Sequence, residues 1–208
     1  MNLILAVVVA YLIGSISPSI IAGKILKGID VRDFGSGNAG STNTFRVLGK
    51  KPGIVVLILD ILKGFVAAKL YIFFAVPAHM RPSIFAILCG VAAVVGHIWP
   101  VFFSFRGGKG VNTLAGVLLA VIPLEVALAT VAFLAIFIPT GYVSLSVMLA
   151  SLSLPFIALM RQYIFHEAVP VEILIISYAV PLLMVYTHRS NIKRLLKGEE
   201  NRSKLFRK

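Results

Sequence analysis

Charged residues are scarce in this chain. Asp, Glu, Lys and Arg together make up 13% of its 208 residues, about half the share found in a soluble globular domain. Residues 3–23 and 142–160 carry no charge at all, and about 20 apolar residues suffice to cross the hydrocarbon core of a bilayer. The composition therefore excludes a soluble fold and predicts an all-α membrane protein with several spans.

Cysteine and acidic residues are scarce as well. The single cysteine, Cys89, lies in an apolar stretch, so an intrachain disulfide is excluded. The eight acidic residues form no cluster with metal-ligand spacing, and the chain has neither a Walker loop nor a dinucleotide-binding glycine pattern. We therefore expect no metal, nucleotide or other cofactor. No soluble domain offers a basic face to nucleic acid, and no feature indicates an obligate protein partner.

Long apolar segments predict the membrane spans. They cover residues 3–23, 53–76, 83–105, 111–138, 142–160 and 169–187. The first is expected to be a retained helix, because no basic residue precedes it. Segment 111–138 is long for one span and short for two, and Pro123 near its middle breaks or kinks a helix. The chain therefore has six helices if this segment crosses once and seven if it turns back.

Lysine and arginine decide between these topologies. If 111–138 crosses once, the basic residues of the loops and tail divide nine and nine between the two sides. If it turns back at Pro123, sixteen share one side, against Arg81 and Arg161 on the other. Because basic residues concentrate on the cytoplasmic side, we predict one transmembrane domain, residues 1–208, with seven helices, the fourth and fifth short, and the N-terminus outside. The predicted cytoplasmic parts are the motif loops 24–52 and 105–111 and the tail 188–208.

The first cytoplasmic loop is rich in glycine and neutral hydrogen-bond donors. It reads GSGNAGSTNTFRVLG at residues 35–49. Glycines let backbone amides turn toward a bound anion, and Arg46 adds a planar fork that fits phosphate. A flexible polar loop explains the same composition equally well, since these residues are also turn formers. The polar candidates for substrate binding are Ser36, Asn38, Thr42 and Asn43.

The second loop places glycines around a lysine. It reads GHIWPVFFSFRGGKGV at residues 96–111, so that Lys109 stands among Gly107, Gly108 and Gly110 at the predicted start of a helix. Backbone amides and the positive end of a helix dipole favour an anion there. Plain positive-inside anchoring is a strong alternative for the lysine. For His97, a buried ring bonded to a carbonyl is favoured over a catalytic role.

Two further pairs of polar residues fall on helix faces. Asp60 and Lys63, three positions apart, share one face of the second apolar helix, and we expect a structural ion pair because charge at that depth needs a partner. His188 and Asn191 share a face where the last helix meets the membrane surface. A basic tail alone would be a solvated anchor, but a His–Asn pair that faces the same interface as two glycine-rich loops is more suggestive of a site.

Taken together, these motifs resemble the membrane acyl-phosphate-dependent glycerol-3-phosphate acyltransferases of bacteria (PlsY type). The resemblance covers essentially the whole chain, and it rests on the two loop sequences above and on HRSNIKRLLKGEE at residues 188–200, with DILKG at 60–64 in support. Ser41 and Asn112 depart from the family, in which alanine is common at both positions.

The resemblance implies a seven-helix enzyme of the bacterial inner membrane with its active site facing the cytoplasm. The reaction would move an acyl chain from acyl phosphate to the 1-hydroxyl of glycerol 3-phosphate, giving lysophosphatidate and phosphate. Both substrates are phosphate anions, which suits a site rich in cations and poor in acids. The residues expected to carry catalysis are Lys109, His188, Asn191 and Arg46.

Two alternatives remain at this point. An anion transporter would also be basic and polytopic, but the polar residues here gather at one membrane face rather than near the midplane, where transporter sites tend to lie. The proton of the acceptor hydroxyl could pass either to the phosphate of the donor, which we favour, or to His188. The histidine-and-aspartate pair of the other large class of glycerolipid acyltransferases is absent, because no histidine has an acidic residue five positions on.

Overall fold

The structure is a computed structural model, and it describes residues 2–203. Those residues form α-helices, short 3-10 turns and loops, without a β-strand. They divide into two compact units, one up to Val121 and one from Ile122. The prediction of an all-α membrane fold is confirmed, whereas the single domain stays a prediction.

The first unit begins with a broken apolar helix. The break falls at Ser17, an extended residue followed by Pro18 at the first helical position, where its missing N–H is tolerated. The second helix of this pair ends at Gly28, which takes the left-handed conformation (φ 66°). The helices of this unit are α1 (Asn2–Ser15), α2 (Pro18–Lys27), α3 (Ser41–Val47), α4 (Lys50–Ala68), α5 (Pro82–Ile98) and α6 (Val111–Val121).

Glycines allow the helices of the first unit to pack with their backbones in close approach. A Cβ on Gly116 of α6 would lie 1.9 Å from the carbonyl oxygen of Ile61 in α4. A Cβ on Gly14 of α1 would lie 2.0 Å from the carbonyl oxygen of Ala93 in α5. Helices inside a membrane gain little from the hydrophobic effect, so small residues that permit such contacts stabilise the bundle.

The second unit contains α7 (Pro123–Thr140), α8 (Val143–Tyr163), α9 (Val171–Thr187) and α10 (Arg189–Leu196). In this unit α8 packs against both α7 and α9. The short α10 turns away from α9 by 62°. A buried carboxylate near the start of α7, Glu125, pairs with Arg161 near the end of α8, which gives a charge inside apolar helices the partner that it needs.

Length and composition give four candidate membrane spans, or five if the bent pair α9–α10 counts as one. The predicted helix break at Pro123 is present, since α6 ends at Val121 and α7 begins at that proline. The fourth predicted helix is short, as expected, with 11 residues in α6. The prediction of a short fifth helix was wrong, because α7 runs for 18 residues, through Pro139, before Gly141 ends it in the left-handed conformation. The count of seven spans and their orientation stay predictions.

Candidate functional site

Asn43 fixes the shape of the first glycine-rich loop. Its side chain is buried, and its Oδ1 accepts the backbone N–H of Ser36 at 2.8 Å. Its Nδ2 donates to the carbonyls of Val31 at 2.7 Å and Phe34 at 3.1 Å. Gly35 lies so close that a Cβ there would be 2.3 Å from Oδ1. The amide of Asn43 is thus occupied by its own loop, and we infer that it shapes the site rather than touching substrate.

Arg32 joins the first loop to the second. Its guanidinium is held by the Asp30 carboxylate, with Nη2 and Oδ2 2.7 Å apart. From there Nη1 donates to the carbonyl oxygens of Phe103, at 3.0 Å, and Arg106, at 2.7 Å. The hydrogen bonds from Arg32 hold the pKa of Asp30 below its usual range. The carboxylate is therefore an ionised anchor for an arginine that clamps the two loops together.

A second link between the loops joins two uncharged side chains. Asn112, in the first turn of α6, donates from Nδ2 to the hydroxyl oxygen of Ser41 at 2.8 Å. Ser41 is the first residue of α3 and is buried. Since α6 follows the second loop directly, this bond and the Arg32 clamp hold both ends of that loop to the first loop.

The glycines of the second loop pack against the end of α5. The N–H of Gly107 donates to the carbonyl of Ile98 at 3.1 Å, and that of Gly108 donates to the carbonyl of His97 at 3.0 Å. A Cβ on Gly107 would lie 2.0 Å from the His97 carbonyl oxygen, so no larger residue fits. These two amides are therefore engaged inside the protein and do not point at an anion. Gly110 lies in a turn and takes the left-handed conformation, with φ 78°.

Asp60, Lys63 and His97 form a buried polar cluster in the first unit. Lys63 Nζ lies 2.7 Å from Asp60 Oδ1 and 2.9 Å from His97 Nδ1, and it also donates to the carbonyl of Ile16 at 2.7 Å. The ion pair expected from the sequence is present as a contact, although its structural role stays a prediction. His97 is buried as expected, but its Nδ1 meets an ammonium group and not a carbonyl.

The remaining candidates of the first unit lie nearer to solvent. Ser36 and Arg46 are exposed, whereas Asn38, Thr42 and Lys109 are half-buried. Lys109 stands two residues before α6 begins, and Arg46 lies in the last turn of α3. These cations thus border the two loops that Arg32 and Asn112 hold together.

His188 and Asn191 occupy the second unit at the bend between α9 and α10, and both are buried. His188 Nδ1 lies 2.9 Å from the carbonyl oxygen of Met184, one turn earlier. A carbonyl can only accept, so the proton of the neutral ring is on Nδ1 and Nε2 carries a lone pair.

Glu200 orients Asn191. One carboxylate oxygen of Glu200, Oε1, accepts hydrogen bonds from Asn191 Nδ2 at 2.7 Å and from the Ser144 hydroxyl at 2.9 Å. The other, Oε2, accepts from Arg194 Nε at 2.8 Å. Burial would raise the pKa of Glu200, but the hydrogen bonds from Asn191, Arg194 and Ser144 outweigh it, so the pKa lies below its usual range. Because a carboxylate only accepts, the Asn191 amide must turn its nitrogen toward Glu200 and its oxygen away.

Sequence reasoning missed three functional candidates. Arg32, Asn112 and Glu200 all act through partners that no local pattern indicates. Arg32 binds carbonyls 71 and 74 residues further along the chain, and any main-chain carbonyl could have served. Glu200 gave a usable signal, since Gly198 predicts a helix stop and a carboxylate follows in a strongly basic tail.

Both units thus carry cations and amide side chains on loops or helix ends of an apolar bundle. Such features are typical of a membrane protein that binds anions.

Comparison with known proteins makes that class specific. The family model for glycerol-3-phosphate acyltransferase matches residues 4–198. The glycerol-3-phosphate acyltransferase of Chlorobaculum tepidum is 44% identical, over 97% of this chain and 97% of its own length. A counterpart from Chlorobium phaeobacteroides is 43% identical, over 98% and 97%.

Solved structures agree with these relatives. The crystal structure of PlsY, an integral membrane glycerol 3-phosphate acyltransferase, in its glycerol 3-phosphate form matches with a TM-score of 0.83 and 40% identity, over 98% of this chain and 96% of that one. The lysophosphatidic acid form matches with a TM-score of 0.80 and 39% identity, over 97% and 95%. The chain belongs to the glycerol-3-phosphate acyltransferase family, as an integral membrane enzyme of the PlsY type, and the resemblance drawn from its motifs is confirmed.

Proposed function

We propose that the enzyme transfers a fatty acyl chain from acyl phosphate to the 1-hydroxyl of glycerol 3-phosphate. The products are lysophosphatidate and inorganic phosphate. One observation carries the proposal: the two glycine-rich loops that bear Lys109 and Arg46 are fastened to each other by Arg32, whose charge is paired with Asp30. The related PlsY structures, one in a glycerol 3-phosphate form and one in a lysophosphatidic acid form, support this acceptor and product.

Acyl phosphate suits such a site as the donor. Its carbonyl is already activated, because phosphate is a good leaving group. The acceptor oxygen attacks the acyl carbon, the bond from that carbon to the phosphate oxygen breaks, and the negative charge of the leaving group grows. Lys109 and Arg46 stabilise that charge and hold the substrate phosphates, and the exposed Ser36 with half-buried Asn38 and Thr42 adds neutral donors. Membrane lipid surrounds the helices and supplies the path for the acyl chain.

The proton of the acceptor hydroxyl passes, in this proposal, to the leaving phosphate. His188 and Asn191 then orient glycerol 3-phosphate. The Nδ1–H of His188 donates to the Met184 carbonyl, so the lone pair of the neutral ring is on Nε2. The alternative to assistance by the substrate is that His188 acts as the general base.

The decisive experiment compares acyl donors. Purified enzyme should form lysophosphatidate from glycerol 3-phosphate with palmitoyl phosphate and not with palmitoyl-coenzyme A. Activity should survive a chelator, because no cofactor takes part. Activity with the coenzyme A donor alone would overturn the choice of donor. Accumulation of labelled glycerol 3-phosphate in proteoliposomes without any donor would favour a transporter.

We propose further that the active site faces the cytoplasm of the bacterial inner membrane. The unequal distribution of basic residues supports this orientation. In a Cys89→Ala background, Lys50→Cys and Lys197→Cys should stay unlabelled by an impermeant maleimide in right-side-out vesicles until the membrane is permeabilised. The matched control is His79→Cys, which should label from outside. Labelling of only one of the two lysine positions would overturn the topology.

A further inference from the structure

Lys63 makes two hydrogen bonds and one ion pair inside the first unit. An ammonium group has three protons and no lone pair. Three groups lie within bonding distance of Nζ: the Ile16 carbonyl oxygen at 2.7 Å, Asp60 Oδ1 at 2.7 Å and His97 Nδ1 at 2.9 Å. His97 Nδ1 is thus one of two hydrogen-bond partners of Lys63, and the Asp60 carboxylate faces the same ammonium group as an ion pair.

This arrangement fixes the proton of His97. If Nδ1 accepts from Lys63, it cannot carry a hydrogen of its own, and the proton of the imidazole must be on Nε2. The alternative places it on Nδ1, facing Asp60 Oδ1 at 3.4 Å, and would set two N–H donors against each other at 2.9 Å. The shorter contact decides, and the structure assigns the Nε2–H tautomer to His97.

The Nε2–H group points to the junction of the two glycine-rich loops. A Cβ on Gly108 would lie 2.1 Å from Nε2 and 2.9 Å from the carbonyl oxygen of Ala39 in the first loop. His97 is only 6% exposed, and none of the hydrogen bonds among residues 2–203 uses its Nε2. Nε2 is not one of the fully buried polar side-chain atoms without a partner among these residues, so this donor is open to a ligand oxygen. It stands beside the backbone that leads directly into Lys109.

We propose that His97 is a substrate-binding residue whose Nε2–H donates to a phosphoryl oxygen held beside Lys109. Asp60 and Lys63 are positioning residues in this scheme, since they act only by keeping Nδ1 an acceptor. The inference rests on the proposed function for its substrates, acyl phosphate and glycerol 3-phosphate, which share the phosphoryl chemistry that an N–H donor recognises.

The tautomer can be tested on the intact enzyme without any turnover. The protein is labelled with [15N]histidine, and the resonances of His97 are assigned by their loss in His97→Asn. We expect a protonated Nε2, an unprotonated Nδ1 and a shift of the Nε2 signal when inorganic phosphate or glycerol 3-phosphate is added, with chloride at equal ionic strength as the control. A proton on Nδ1, or no shift at saturating levels of both anions, would overturn the proposal.

Two substitutions separate donation to substrate from support of the cluster. The side-chain amide of His97→Gln reaches about as far as Nε2 and can replace that donor, whereas the shorter His97→Asn keeps an acceptor for Lys63 but cannot reach the loop. His97→Asn should raise the KM of a phosphate substrate about tenfold or more, with kcat changed less, and His97→Gln should stay within about threefold of wild type. The substrate whose KM rises identifies the phosphate that His97 holds.

Equal effects of the two substitutions on KM would contradict the proposal, whether both are severe or both are negligible. Thermal unfolding in detergent shows whether either variant has lost its fold. If one has, the Nε2 resonance of the wild-type enzyme decides whether His97 binds phosphate. An enzyme that fails to use acyl phosphate would sink the proposed function, while a phosphate-dependent shift of Nε2 would still support a ligand role for His97.

Discussion

Two buried histidines, one in each unit, carry their protons on opposite nitrogens. His97 meets an ammonium group through Nδ1, so its Nε2 is a donor. His188 meets a backbone carbonyl through Nδ1, so its Nε2 is an acceptor. The sequence alone treats both as histidines next to basic motifs. The comparison teaches that the partner of one ring nitrogen decides what the other can do to a substrate.

The supports of the two rings also differ. His97 depends on two buried charged side chains of another helix, Asp60 and Lys63 of α4. His188 depends on a carbonyl of its own helix, while its neighbour Asn191 depends on the returning tail through Glu200. We therefore expect replacement of Asp60 or Lys63 to disturb the ring of His97, and replacement of Glu200 to disturb Asn191 more than the ring of His188.

The largest effect on activity should come from replacing Lys109 in the first unit. Lys109→Ala should lower kcat/KM about 10²–10³-fold, because it removes charge stabilisation from the phosphate that develops negative charge in the transition state. Steady-state assays with palmitoyl phosphate measure this. Lys24→Ala is the matched control, since Lys24 is an exposed lysine of the same basic belt. Lys27 is a poorer control, because its Nζ donates to the Val47 carbonyl at 2.8 Å. Equal, mild effects at positions 24 and 109 would mean that both lysines serve as membrane anchors.

The next effect separates the two possible roles of His188. If the donor's phosphate takes the proton, His188→Gln, which can still hydrogen-bond, should keep a single-turnover rate within about tenfold of wild type. A general base contributes about 10²–10⁴-fold. A loss of that size, with the affinity for glycerol 3-phosphate unchanged, would identify His188 as the general base. His188 would then be a catalyst and not only a ligand of the substrate hydroxyl.

Glu200 should make the stability of the second unit depend on pH, whereas its sequence neighbour Glu199 should not. Because the pKa of Glu200 in the folded protein lies below the value of about 4.3 for an unfolded chain, its stabilisation is complete above that value. It is lost as pH falls through the lower, folded-state pKa. Thermal unfolding in detergent should show Glu200→Gln to be less stable than wild type near neutral pH, and the gap should close as the solution becomes acidic.

Glu199→Gln is the control for that experiment, since Glu199 is exposed. It should follow the wild-type profile throughout. A constant difference between wild type and Glu200→Gln at every pH would show that the carboxylate contributes through shape and not through its charge.

The smallest effect concerns the uncharged link of the first unit. Ser41→Ala or Asn112→Ala alone leaves a polar partner unpaired, which costs about 1–3 kcal/mol where the group is buried. The double variant removes both partners, so it should be more stable than the sum of the single effects predicts, by about 0.5–1.5 kcal/mol. Strict additivity of the three unfolding free energies would show that the 2.8 Å contact does not couple the loops.

The sequence predicted features that depend on local chemistry. The helix break at Pro123 followed from proline, and the membrane class followed from the scarcity of charge. The length of α7 was misjudged, because the break at Pro123 divides the apolar segment unequally and the second part continues to Thr140. The roles of Asn43 and Gly108 could not be predicted either. The same residue types form an anion nest or a self-bonded loop, and only the three-dimensional course of the backbone decides between them.

The contacts of the returning tail depend on residues that are translated after the helices of the second unit. Glu200 reaches back to Ser144, and the backbone N–H of Ser203 donates to the Gly141 carbonyl at 2.8 Å. The ribosome translates α7, α8 and α9 before it reaches codon 200. Until Glu200 is made, Asn191 lacks the carboxylate that turns its amide. A chain terminated before codon 200 would therefore contain the residues of helices α1 to α10 and still lack the group that orients Asn191.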